Sequence, residues 1–204
     1  MSGSPDRAGR YLIRFSDGST MRLYRQTVED FGLFAGLELT DEQIDALRTA
    51  AGQMSAKMRA VRIVSASNVS KRDLEQRLVR KGEDPTQAKE AVEWMEELHL
   101  LDDRNTAEQV VHACISKGYG LQRAKQALYE KRIPKAYWDE ALADYPDQME
   151  KILSFLRSRL DDDADSKQVK KAIDALLRRG HSYSKIREGL NIISLDSDEF
   201  MEDY

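Results

Sequence analysis

The chain has 204 residues, 41% of them apolar and 33% charged, with a mean hydropathy of -0.63 and a formal net charge of -4. That is apolar enough for packed cores, but no apolar run approaches the roughly 20 residues that cross a bilayer, and the one cysteine, Cys114, cannot close an internal disulfide. Prolines and glycines are few and Ala, Leu, Glu, Lys and Arg dominate; the polar stretch from Met1 to Arg10 has no secretory character, so a mostly helical, cytoplasmic protein is expected.

The chain opens on a predicted β-hairpin. Tyr11, Ile13 and Phe15 alternate with other positions, Asp17-Gly18 supplies a turn dipeptide, and Met21, Leu23 and Tyr24 resume the pattern. The asymmetry about the turn predicts a loop longer than two residues. Two strands alone are marginal in water, so the hairpin is expected to rest on a helix. A short helix around Thr27 to Phe31 is broken by Gly32 and Gly36. Thr40 then caps a helix, with Gln43 completing a capping box and Ile44, Leu47 and Ala51 forming its apolar face.

From residue 53 the sequence repeats. Each copy reads as a helix, a polar break, a second helix ending in a basic pair or Lys-Gly, and a third helix. Aligning Gly82, Arg132 and Gly180, apolar residues fall at offsets -8, -4, +6, +9 and +10 in every copy: Leu74, Leu78, Ala88, Ala91, Val92; Ala124, Leu128, Trp138, Ala141, Leu142; Ala172, Leu176, Ile186, Gly189, Leu190. A spacing of 50 and 48 residues implies stacked helical units that cannot bury their apolar faces singly. The first helices are marked by Met58, Val61, Ile63 and Val64, then Val110, Val111, Cys114 and Ile115, then Ile152, Phe155, Leu156 and Leu160, the last stopped at Asp161-Asp162-Asp163. Ser70 with Asp73 reads as a helix start. Gly82 and Gly180 sit where a helix end favours a left-handed residue; Arg132 holds that place in the second unit, which predicts a differently built turn there. The expected organisation is 1–52 hairpin and capped helix; 53–101, 102–146 and 147–193 three-helix repeats; and 194–204 an acidic tail. The fold class is all-α, a tandem array of three three-helix repeats with a small N-terminal β-hairpin plus helix.

Signatures of catalysis are missing. His99, His112 and His181 fall in different units without ligand-like spacing, and the sequence has no phosphate-loop, dinucleotide, zincin or nucleophile-elbow motif. Cys114 lies in an apolar stripe and reads as a buried structural thiol. Asp102-Asp103 reads as helix-start chemistry, and the acidic run from Asp161 as a solvated break. No catalytic residue, metal or cofactor is expected.

Surface charge remains. The second helices carry Lys71, Arg72, Arg77, Arg80 and Lys81; Arg123, Lys125, Lys131 and Arg132; and Lys167, Lys170, Lys171, Arg178 and Arg179. Glu75, Glu130 and Asp174 offset them, as on ordinary solvated helix faces. Equivalent positions of stacked units would share one side of the array, so the bases near Lys81, Lys131 and Arg179 are expected to form a stripe suited to an acidic or phosphate-lined partner. The contact candidates are Arg72, Arg77, Arg80, Lys81, Arg123, Lys125, Lys131, Arg178 and Arg179. The tail holds Asp196, Asp198, Glu199, Glu202 and Asp203 with no base; it reads either as a solvated end or as an acidic mimic covering a basic surface.

Ser70, Asp73, Leu74, Leu78 and Lys81-Gly82, then Leu101-Asp102-Asp103 with Ala107, then Lys117-Gly118 with Gly120, and Ala127-Leu128 with Lys131, together resemble the RecX family, regulators of the RecA recombinase. The resemblance covers residues 10 to 193. It departs from the family at Arg132, where glycine is usual, at Thr106, where an aromatic residue is usual, and in the acidic tail. It implies a curved, elongated monomer that lies in the groove of the RecA–DNA filament and limits ATP hydrolysis, strand exchange and co-protease activity, within homologous recombination, DNA repair and the SOS response. A DNA-binding regulator built from helix-turn-helix-like repeats is the alternative; the low net charge and the lack of a helix rich in Asn, Gln and Arg count against it. Weak binding to single- or double-stranded DNA is compatible with both, and a scaffold for some other helical partner is a third reading.

Overall fold

The computed structural model describes residues 5–161 and 164–193; the acidic tail and Asp162-Asp163 of the acidic run lie outside the described residues. The chain folds as two compact units, Met1–Asp102 and Asp103–Tyr204.

In the first unit, strands β1 (Arg10–Arg14) and β2 (Thr20–Tyr24) pair antiparallel with Arg14 opposite Thr20, leaving a five-residue connection closed by a bond from the Phe15 amide to the Ser19 carbonyl (2.9 Å). Helix α1 (Arg25–Asp30) follows without a break, and α2 (Asp41–Ala66) starts at the Thr40 capping box. Leu23, Val28 and Leu47 are buried together, with Ile13, Phe15, Met21 and Ala51 packed around them, so the hairpin does rest on a helix.

Helix α2 runs 26 residues, through position 52, and so joins the capped helix to the first helix of the first repeat. Its first half lies in the hairpin core. Its second half, with Ala56 and Ala60 fully buried, packs on α3 (Lys71–Arg80) and α4 (Pro85–Glu97) around Leu74, Leu78, Ala88, Ala91 and Met95. Full burial of each such leucine contributes roughly 2 kcal/mol.

The second unit holds the other two repeats. Helices α5 (Asp103–Ser116) and α6 (Leu121–Glu130), a 3-10 turn (Lys135–Tyr137) and the short α7 (Trp138–Leu142) enclose Ala107, Val111, Leu128 and Ile133. Helices α8 (Met149–Arg157), α9 (Ser166–Arg178) and α10 (Tyr183–Ile192) enclose Ile152, Leu156, Ile173, Leu176, Ile186 and Leu190. The architecture is therefore a tandem array of three three-helix repeats behind a two-stranded hairpin.

The repeat shows in matching detail. All five aligned apolar positions are buried in the first and third repeats; in the second, Ala124 and Leu128 are buried while Trp138, Ala141 and Leu142 are half-buried. The reason lies two residues past each aligned turn. Asp84 and Ser182 there accept bonds from the first amides of α4 and α10, whereas Pro134 offers no side-chain cap and the third helix of the second repeat begins as a 3-10 turn and stays short.

The expectation of a different turn at Arg132 is overturned. Gly82, Arg132 and Gly180 take φ values of 89°, 55° and 83°. Each turn is closed by the same two bonds: Gly82 to Val79 and Glu83 to Leu78, Arg132 to Tyr129 and Ile133 to Leu128, Gly180 to Leu177 and His181 to Leu176. Arginine here accepts the left-handed conformation that glycine adopts freely.

Candidate functional site

The candidate contact residues sit on the second helix of each repeat or at its end. On α3, the buried Ser70 hydroxyl accepts from the Asp73 amide (3.1 Å), and the buried Asp73 carboxylate holds Arg77 at 2.9 Å. That pair fixes Arg77 against α3 and leaves it half-exposed. Arg72, Arg80 and Lys81 are exposed, with Arg80 Nε donating to the Gln76 carbonyl.

Arg77 and Lys81, one helical turn apart, wall a cleft of about 360 Å³ whose opposite wall is the last turns of α2: Arg59, Arg62, Ile63 and Ala66, with Ser67 at the end. Arg59 is anchored by Glu83 (2.7 Å), a buried carboxylate that also accepts from Ser55, and it donates to the Lys81 carbonyl (2.7 Å). Arg62 donates to the Tyr24 hydroxyl (3.0 Å) and the Ala8 carbonyl (3.3 Å), both uncharged. Among the described residues, neither Arg62 nor Lys81 is paired with a carboxylate. Arg59 and Arg62 went unread in the sequence, where α2 showed only its apolar stripe. Their spacing of three residues beside that stripe was the available signal.

In the second unit, Arg123 is held by Glu130 (3.0 Å), and this hydrogen-bonded pair pulls the Glu130 carboxyl below its ordinary range. Lys125 and Arg178 are exposed, Lys131 is half-exposed, and the Arg179 guanidinium lies 4.5 Å from the centre of the Phe155 ring. The structure brings the start of α6 against the end of α9. The Gly120 amide donates to the Arg179 carbonyl (2.9 Å), and a Cβ on Gly180 would stand 2.2 Å from the Arg123 amide nitrogen. Arg123 and Arg179 thus belong to one joint between the second and third repeats.

Nearby reactive groups serve that packing. Cys114 is buried, which raises its thiol pKa above the usual value. Tyr145 donates to the Tyr119 carbonyl (2.7 Å), and burial pushes its hydroxyl up to about 12. His181, buried, donates through Nε2 to the Gly118 carbonyl (3.1 Å). Among the described residues, no cluster of His, Cys, Asp and Glu could hold a metal ion, and no helix is long and apolar enough to cross a membrane.

Comparison with known proteins gives one reading throughout. Residues 102–142 match the family model "RecX, second three-helix domain". A "Regulatory protein RecX" from Clostridioides difficile is 24% identical over 197 residues, covering 94% of this chain and 92% of that protein. One from Vibrio parahaemolyticus is 26% identical over 141 residues, covering 68% and 91%. A crystal structure of a regulatory protein RecX superposes with a TM-score of 0.62 at 23% identity, covering 91% of this chain and 96% of that one, and RecX from Lactobacillus salivarius does so with a TM-score of 0.60 at 22% identity, covering 71% and 97%.

Proposed function

We propose that this chain, a member of the RecX family, is a non-enzymatic modulator of the RecA recombinase that binds in the groove of the RecA–DNA filament and limits its ATP hydrolysis, strand exchange and co-protease activity. The supporting observation is the repetition itself: three helical repeats carry their bases on equivalent second helices that end in the same left-handed turn. A filament presents the same surface again at each protomer, and a chain of like units meets it with like side chains. In this reading Arg72, Arg77, Arg80 and Lys81, then Arg123, Lys125 and Lys131, then Arg178 and Arg179 face acidic protein groups or DNA phosphate.

The three exposed bases Arg72, Lys125 and Arg178 provide the test, one from each repeat. At roughly 0.5 kcal/mol per surface charge contact, reversing all three as Arg72→Glu, Lys125→Glu and Arg178→Glu raises the concentration needed to inhibit RecA ATP hydrolysis by about tenfold or more. Undiminished inhibition by the triple variant, with its helical content intact, would remove the second helices from the contact surface.

A further inference from the structure

We propose that the cleft between α2 and α3 is a binding site for a nucleotide phosphate, with the attached sugar lying on Ile63 and Ala66. The inference rests on the reading that Arg77 and Lys81 face the partner, and it names the chemistry they meet there.

Charge comes first. Three guanidiniums and one ammonium line the cleft, from Arg59, Arg62, Arg77 and Lys81. Two of them are spoken for, Arg59 by Glu83 and Arg77 by Asp73. The partial negative ends of α2 and α3 also lie close by and take up part of the positive field. Arg62 and Lys81 remain without a carboxylate among the described residues, one on each wall. Like charges lining one cleft repel, and an anion seated among them relieves that repulsion.

Geometry narrows the anion. The anchoring of Arg59 and Arg77 by buried carboxylates fixes two of the four donors before any ligand arrives, which lowers the ordering cost of binding. Guanidinium groups suit the tetrahedral, multiply accepting oxygens of a phosphate through paired N–H donors. At about 360 Å³ the cleft is far roomier than one carboxylate requires and lies in the range of small-molecule sites. On the α2 wall, Ile63 and Ala66 offer an apolar rest to a sugar ring, while the Ser67 hydroxyl is taken up by the Ile63 carbonyl and Arg77. The acidic side chain of a protein partner would leave that apolar stretch of wall bare.

The phosphate could come from a DNA strand or from a free nucleotide, and the assay separates these. The full chain is titrated against a short fluorescent oligo-dT strand by anisotropy at several salt concentrations, alone and in competition with AMP, while inhibition of RecA ATP hydrolysis is measured on the same preparations. Lys81→Gln is the discriminating variant, since no carboxylate among the described residues pairs with that ammonium. Arg62→Gln accompanies it, and Lys89→Gln on α4, outside the cleft, is the control. For a strand phosphate, each cleft variant lowers the salt slope of binding by about 0.7 and the double variant by about 1.4. AMP competition that the cleft variants abolish identifies a free nucleotide instead, with the same residues at work. Unchanged slope and unchanged AMP competition in Lys81→Gln and Arg62→Gln overturn the proposal. If RecA inhibition is nevertheless lost in these variants, the filament reading survives and the cleft meets protein. If phosphate binding falls while RecA inhibition holds, the cleft stands and its place in the filament contact does not.

Discussion

Three aligned residues, Gly82, Arg132 and Gly180, share one backbone conformation but not one environment. A Cβ at Gly82 meets nothing within 4 Å, so Gly82→Ala carries only the left-handed penalty of about 1 kcal/mol. At Gly180 the same Cβ falls 2.2 Å from the Arg123 nitrogen and 2.9 Å from its Cα, atoms of a helix backbone that cannot turn aside. Gly180→Ala is therefore expected to cost roughly 3 kcal/mol or more, through overpacking added to strain. Arg132→Gly relieves the strain at some cost in unfolded-chain entropy and is expected to gain about 0.5 kcal/mol. Urea unfolding of the three variants ranks them. Equal losses at Gly82 and Gly180 would deny the close approach of α6 and α9.

At the scale of elements, that approach also buries His181 against the Gly118 carbonyl. Burial is the main cause that holds the ring's pKa below its ordinary 6.5, with the Arg179 charge acting in the same direction and the Gly118 bond opposing. The unfolded chain takes up this proton near 6.5 and the folded chain only at lower pH. The contribution of the neutral ring is thus complete above the unfolded value and is lost as pH falls through 6.5 toward the depressed folded value. His181→Gln, which keeps an N–H for Gly118, is expected to flatten the fall of the urea midpoint between about pH 7 and about pH 5, above the range where carboxylates dominate. An unaltered pH profile would show that the ring does not titrate with folding. Sequence made much of this level legible. The caps at Thr40 and Ser70 and the five aligned apolar positions are chemical statements about local structure, and they survived folding. Helix α2 shows where such signals stop: the repeat starting at residue 53 reads as a boundary, yet packing on both sides carries the helix through it, past Gly52 at a cost of about 1 kcal/mol. Arg132 was misread for the same reason, because the closing bonds of the turn outweigh a residue preference. Arg59 and Arg62 stayed hidden because their place opposite Arg77 and Lys81 is set by the packing of α2 on α3, which no spacing along the chain reveals.

Across the whole molecule, each repeat has its own buried cluster and its own set of bases. In the proposed function those bases meet a recombinase filament. Sedimentation tests this most directly. RecA is assembled on single-stranded DNA with a non-hydrolysed ATP analogue, and the chain is pelleted with the filament or with the same strand bare, at one ionic strength. The chain is expected to pellet with the filament well beyond its recovery with bare DNA; equal recovery from both, or none from the filament, would contradict the account.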